Sequence, residues 1–190
     1  ARERILQLSV KDADEILKNA PADDSLQALE RGRLALYQGD CELAAGILSR
    51  KDLAESEQGA QLGAIARGCV RSTAGAVVFE DRERGVAIRF QDDEDLVFGP
   101  YMADVAAKAR ALYETDLGTE LPKPIRIEVV RDQYALSAMT GLPIEAARTT
   151  GTVAIAKWGR VVMISPRAAP KGYGFLDTLA HEFSHLAQTR

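Results

Sequence analysis

His181, Glu182 and His185, in the stretch "LAHEFSHLAQTR", are the residues whose types and spacing could do chemistry. Two histidines four positions apart on a helix lie one turn apart on one face, so both imidazoles can hold a single metal ion. Zinc suits imidazole and lowers the pKa of a water bound to it. A glutamate directly after the first histidine can take a proton from that water and pass it on. The chain has two histidines in all, so both fall in this pattern.

A helix must position them. At about 100° per residue, Leu176, Leu179, Ala180, Phe183, Leu186 and Ala187 gather into one stripe, with His181 and His185 almost opposite. We therefore expect the stripe to pack on a sheet and the histidines to face a cleft. The alternative is a surface histidine pair on an ordinary amphipathic helix. Two histidines make half a site, because catalytic zinc needs a third protein ligand and a water. Asp177, one turn before His181, either supports that histidine or is a first-turn acid favoured by the helix dipole.

The elements before this helix read as mixed α/β. Val77–Glu80 and Val86–Phe90 form two β-runs around a charged turn. "QDDEDL" reads as a solvated loop capping the next helix; it lacks the glycine and spacing of a calcium loop. A helix over Pro100–Leu117 follows. "PIRIEVV" alternates as a strand, with Ile125, Ile127 and Val129 to one side. A short helix in "DQYALSAMTG" ends at Gly141. Thr152–Ala156 and Arg160–Ile164 read as a hairpin around Lys157–Gly159, and the second strand, apolar on both faces, belongs inside a sheet. After the loop "PRAAPKGYG", the final helix runs from Phe175 to about Thr189.

The first 72 residues read as helix throughout. "RILQLSVKDADEILKNAPAD" carries Ile5, Leu8, Ile16 and Leu17 in helical spacing, closed by Pro21. "SLQALERGRLALYQGD" takes Ser25 as its N-cap and stops at Gly39-Asp40. "CELAAGILSRKDLA" and "EQGAQLGAIARGCVRS" follow as further helices. Cys41 and Cys69 either pair or are two buried thiols; we expect thiols, because both sit in helical patterns where small apolar residues pack. The chain begins with Ala1 and carries no signal-peptide pattern, so we expect an excised piece of a longer protein. Net charge is −4, without the basic excess of a nucleic-acid binder, and no apolar run approaches a membrane span.

Two resemblances sharpen this reading. Gly32, Leu36, Gly39, Asp40, Ala44 and Leu48 resemble the small and apolar positions of a tetratricopeptide helix pair, over about one repeat; a generic helical hairpin is the alternative. "TGTVAIAKWGRVVMISPRAAPKGYGFLDTLAHEFSHLAQTR" resembles the start of the gluzincin catalytic region in bacterial peptidase MA-like proteins, often found behind such repeats. The likeness spans roughly residues 86 to 190 and is carried by Gly151-Thr152-Val153, the hairpin, "SPRA" and "LDTLAHE". The metzincin pattern is a poor fit, since Gln188 stands where it wants glycine.

The gluzincin resemblance implies a zinc-dependent metallopeptidase, a hydrolase with His181 and His185 as zinc ligands and Glu182 as catalytic base. It implies that Thr152–Ala156 is the edge strand of an upper lobe, where Thr152, Val153, Ala154 and Ile155 receive an extended peptide. The family's third ligand, a glutamate on a later helix, and its lower lobe would then lie beyond Arg190. We therefore expect an α+β chain: tetratricopeptide-like helical hairpins over residues 1–72, then over 73–190 the N-terminal half of a zincin-like domain. That half is a small mixed sheet with helices, ending on the HExxH helix. By itself it should be inactive and hold zinc weakly. The expected partners are a peptide or protein substrate and a protein on the helical part. The alternative is a non-catalytic zincin-like scaffold or protein-binding module.

Overall fold

The computed structural model describes residues 1–7, 9–19, 21, 24–169 and 171–188. It is an α+β chain in two compact units, Ala1–Arg71 and Ser72–Arg190. No helix among the described residues is long and apolar enough to cross a membrane.

The first unit is helical: α1 (Arg2–Leu6), α2 (Val10–Lys18), α3 (Ser25–Gln38), α4 (Cys41–Leu48), α5 (Lys51–Ala54) and α6 (Glu57–Thr73), the last running just past the boundary. The single helix expected before Pro21 is broken in two: the Ser9 backbone N–H turns back to the Arg4 carbonyl, and α2 starts anew after Ser9. Ile5, Ala13 and Leu17 are buried, whereas Ile16, expected in the apolar stripe, is exposed; Leu8 lies outside the described residues. Asp24, and not Ser25, caps α3, its carboxylate accepting from the Leu26 and Gln27 N–H groups.

Gly39 closes α3 at φ 80, and Asp40 caps α4 by accepting from Leu43 N–H, so the two helices fold back as a hairpin. Their approach is close. A Cβ on Gly32 would lie 2.6 Å from Leu48 Cγ, and Leu48 is itself buried.

Cys41 and Cys69 form a disulfide between α4 and α6, correcting the expectation of two thiols. The sequence pattern showed that both are interior but not that their Cα atoms stand 5.5 Å apart, within bridging range. The bridge closes a separation of 28 residues, for which loop-closure entropy gives about 3–4 kcal/mol. Cys41→Ser is therefore expected to lower the stability of the helical unit by about that amount, read as the shift in its urea midpoint. Reductant should produce the same shift in the parent and none in the variant.

The second unit is built on a five-stranded mixed sheet of order β1-β2-β3-β5-β4, from β1 (Val77–Asp81), β2 (Val86–Phe90), β3 (Ile125–Val130), β4 (Ala154–Lys157) and β5 (Arg160–Ile164). β2, β3 and β5 run parallel; β1 and β4 are antiparallel edges. β5 lies inside the sheet with all five residues buried, as its two apolar faces require.

On one face Ile88, Phe90, Ile127, Val129, Val161 and Met163 form a core with α7 (Gly99–Asp116) and α10 (Phe175–Gln188). Val130, Val162 and Ile164 alternate to the other face. α8 (Gln133–Thr140), which buries Leu136 and Met139, packs against β3, β4 and β5. α9 (Ile144–Thr150) leads from α8 into β4.

The acidic "QDDEDL" segment is solvated only in part: Asp93 and Glu94 are exposed, but the segment is neither a loop throughout nor free of the core. Residues Asp93–Phe98 form a 3₁₀ turn, and Asp95 is buried, accepting from Ser165 Oγ at 2.9 Å and Arg167 Nε at 2.7 Å. Asp92 accepts from Arg131 Nη2 at 2.5 Å. These contacts join the C-terminal ends of the three parallel strands.

The Arg131 hydrogen bond holds the Asp92 carboxyl below its ordinary value of 3.8. A depressed folded-state pKa contributes stability that is present above the ordinary value and lost as pH falls through the depressed one. Asp92→Asn should thus lower Tm at pH 7 and lower it progressively less as pH falls below 3.8; a loss independent of pH would assign the contact no electrostatic role.

Candidate functional site

α10 begins after the 172–174 loop, and Phe175 packs against Phe98 with ring centroids 5.1 Å apart. Leu179, Phe183 and Leu186 are buried against the sheet, as the helical stripe predicts, with Leu176 and Ala187 half-buried; Ala180 is exposed and does not join it. His181 and His185 are exposed on the other side.

Their side chains converge. The two Nε2 atoms are 3.1 Å apart, and the rings meet edge to face with centroids 4.9 Å apart. Two imidazole nitrogens at about 2.0–2.1 Å from one tetrahedral zinc ion stand about 3.3–3.4 Å apart. The pair therefore already has close to the bite that zinc requires. Among the described residues no group of three or more His, Cys, Asp or Glu side chains could hold a metal ion.

Glu182 points another way. It is buried, and its Oε2 accepts a hydrogen bond of 2.6 Å from the backbone N–H of Ala156 in β4. The β4–β5 register explains why that donor is available. Val153 C=O accepts from Ile164 N–H, so positions 153, 155 and 157 turn their backbone groups to β5. Ala154 and Ala156 turn theirs to the free edge of the sheet. The carboxylate thus takes up one of the unpaired donors that an edge strand presents. Oε1 receives no hydrogen bond from the described residues.

The remaining site candidates divide. Ala154 and Ile155 lie in β4, at the edge of the sheet. Thr152 and Val153 precede the strand, which starts two residues later than expected and continues through Lys157. Thr152 is tied to the end of α9: its N–H donates to Ala147 C=O, and its hydroxyl meets that of Thr150 at 2.6 Å. Gln133 Nε2 donates to the Thr152 carbonyl at 3.3 Å. Asp177 is exposed in the first turn of α10, and no hydrogen bond among the described residues joins it to either histidine.

Ala156 was not a candidate from the sequence. It acts through its backbone N–H, and no side-chain identity signals such a contact. Comparison with protein-family models, curated proteins and solved structures finds nothing that matches this chain.

Proposed function

We propose that this chain belongs to a zinc-dependent metallopeptidase of the gluzincin type, similar to the peptidase MA-like proteins. It would contribute a tetratricopeptide-like helical part and the upper lobe of a zincin-like domain. The observation that carries the proposal is the convergence of His181 and His185 to 3.1 Å beside a buried Glu182 that reaches the edge strand.

In this reading His181 and His185 would hold zinc, and a third protein ligand would come from outside the described residues. Zinc, when bound there, would supply Lewis-acid chemistry and lower the pKa of a water. Glu182 takes a proton on a carboxylate oxygen and passes it to the leaving amine. The Ala156 N–H holds that carboxylate in one rotamer, which limits the reorganisation the proton transfer needs. The substrate is a peptide in extended form, paired with the outward backbone groups of β4 at Ala154. The helical unit would take a protein partner, and the net charge of −4 supports no role in nucleic-acid binding.

Metal analysis of the full-length protein tests the proposal. It should carry close to one zinc per chain, lost in His181→Ala with the fold retained by circular dichroism. Absence of zinc from the parent protein would favour the alternative, a zincin-like scaffold without turnover. These 190 residues alone should show little or no hydrolysis, since two ligands leave the metal weakly held.

A further inference from the structure

The sheet face opposite α10 carries an unusual group of charges. Arg89 on β2, Arg126 and Glu128 on β3, and Arg160 and Lys157 at the β4–β5 hairpin alternate to this side by register. Glu128 is already held by Arg89, which donates from Nε at 2.7 Å and from Nη2 at 2.6 Å. Arg160 has no exposed surface, and its Nη1 comes no nearer to Glu128 than 3.6 Å. Among the described residues none of its three guanidinium nitrogens has a hydrogen-bond partner. Arg126 lies directly across the β3–β5 pair from it, a second cation beside the first.

Buried polar groups in folded proteins are almost always satisfied, and a buried charge with poor pairing is costly. The rest of β5 is Val-Val-Met-Ile, so an apolar residue would fit this position without that penalty.

A residue two positions before it is also locally unfavourable. Trp158 sits at φ 55 and is the one described non-glycine residue with positive φ. A two-residue hairpin turn of this kind prefers Asn or Gly there, and a bulky side chain is disfavoured. The indole covers both cations, with Lys157 Nζ 4.5 Å and Arg160 Cζ 5.9 Å from its ring centre. Two unfavourable choices two positions apart in one hairpin point to a site and not to packing.

We propose that the Arg160 guanidinium, beneath Trp158 on the sheet face opposite α10, is the receptor for an oxyanion, a carboxylate or phosphate group. A planar guanidinium presents its donors in a fork that matches either group, which a water molecule satisfies only in hydrogen bonds and not in charge. Arg126 and Arg89 are half-buried beside it, Arg89 with its charge engaged by Glu128. The site is separate from the histidine pair and independent of the proposed hydrolysis.

Trp158 is the only tryptophan, so its emission reports on the site directly. The 190-residue chain is titrated with sodium phosphate and, separately, sodium acetate, with ionic strength held constant by sodium chloride. A saturable emission change with a dissociation constant on the order of millimolar is expected for at least one of them, accompanied by a rise in Tm. The tighter of the two identifies the source as a phosphate or a carboxylate group. Arg160→Met should abolish the saturable change and, having removed a poorly paired buried charge, keep or raise Tm in anion-free buffer. Arg126→Gln, at a half-buried position, should fold normally and bind at least about five-fold more weakly.

The proposal is overturned if the parent shows no saturable response to either anion, or only a response that chloride reproduces, the mark of an adventitious ion only. It is equally overturned if Arg160→Met retains the response. Should that variant fail to fold, unchanged affinity in Arg126→Gln overturns it instead.

Discussion

Glu182→Gln is expected to lower peptide hydrolysis by the full-length protein about a hundred- to ten-thousand-fold while leaving its zinc content unchanged. The amide is nearly isosteric with the carboxylate, and its oxygen can still accept from Ala156 N–H, so the contact across to β4 survives. What is lost is the carboxylate that takes the proton. Cleavage of a quenched fluorescent peptide, with zinc measured on the same sample, separates the two roles of the site. Loss of zinc together with activity would mean that Glu182 acts through the metal-binding geometry. Full activity in the variant would remove it from the reaction.

Phe183→Ala is expected to cost about 3–5 kcal/mol of stability in the second unit. Phe183 has no exposed surface and lies in the core between α10 and the sheet. With Leu179 and Leu186 it fixes the helix that carries both histidines and Glu182. Domains of this size hold about 5–15 kcal/mol in total, so the loss is a large share of what keeps the site assembled. Chemical denaturation followed by far-ultraviolet circular dichroism measures it. Ala180→Ser, on the exposed side of the same helix, should shift the midpoint little. Equal losses in the two variants would mean that the helix is not anchored by its apolar stripe.

The sequence made the site helix legible because one periodicity encodes both of its faces. Leu179, Phe183 and Leu186 mark the packed side, and the histidines fall opposite by arithmetic. The strands were legible where β-branched residues alternate, as in Ile125–Val130. Elements defined by partners distant in the chain were not. The Cys41–Cys69 bridge depends on how α4 meets α6, which no local pattern specifies.

Asp95 read as part of a solvated acidic run because its partners, Ser165 and Arg167, lie 70 and 72 residues away. α9 escaped notice in "IEAARTT", a short helix whose signals are Pro143 before it and Gly151 after it, at φ 66. The Glu182–Ala156 contact could not be read at all, since one partner is a backbone group exposed only by the strand register. Charge alternation on β3 was visible as letters, but Arg160 on β5 became informative only once its burial and its lack of a hydrogen-bond acceptor among the described residues were known.

The central claim is that His181 and His185 form one side of a zinc centre. Calorimetric titration of the 190-residue chain with zinc tests it most directly. Four ligands in small zinc domains supply about 10–16 kcal/mol, so two should give one-to-one binding with a dissociation constant on the order of 1–100 µM. The account predicts that isotherm in the parent, and its loss in His181→Ala and in His185→Ala, each still folded. Parent and variants that take up zinc alike, or a parent that takes up none, would contradict it.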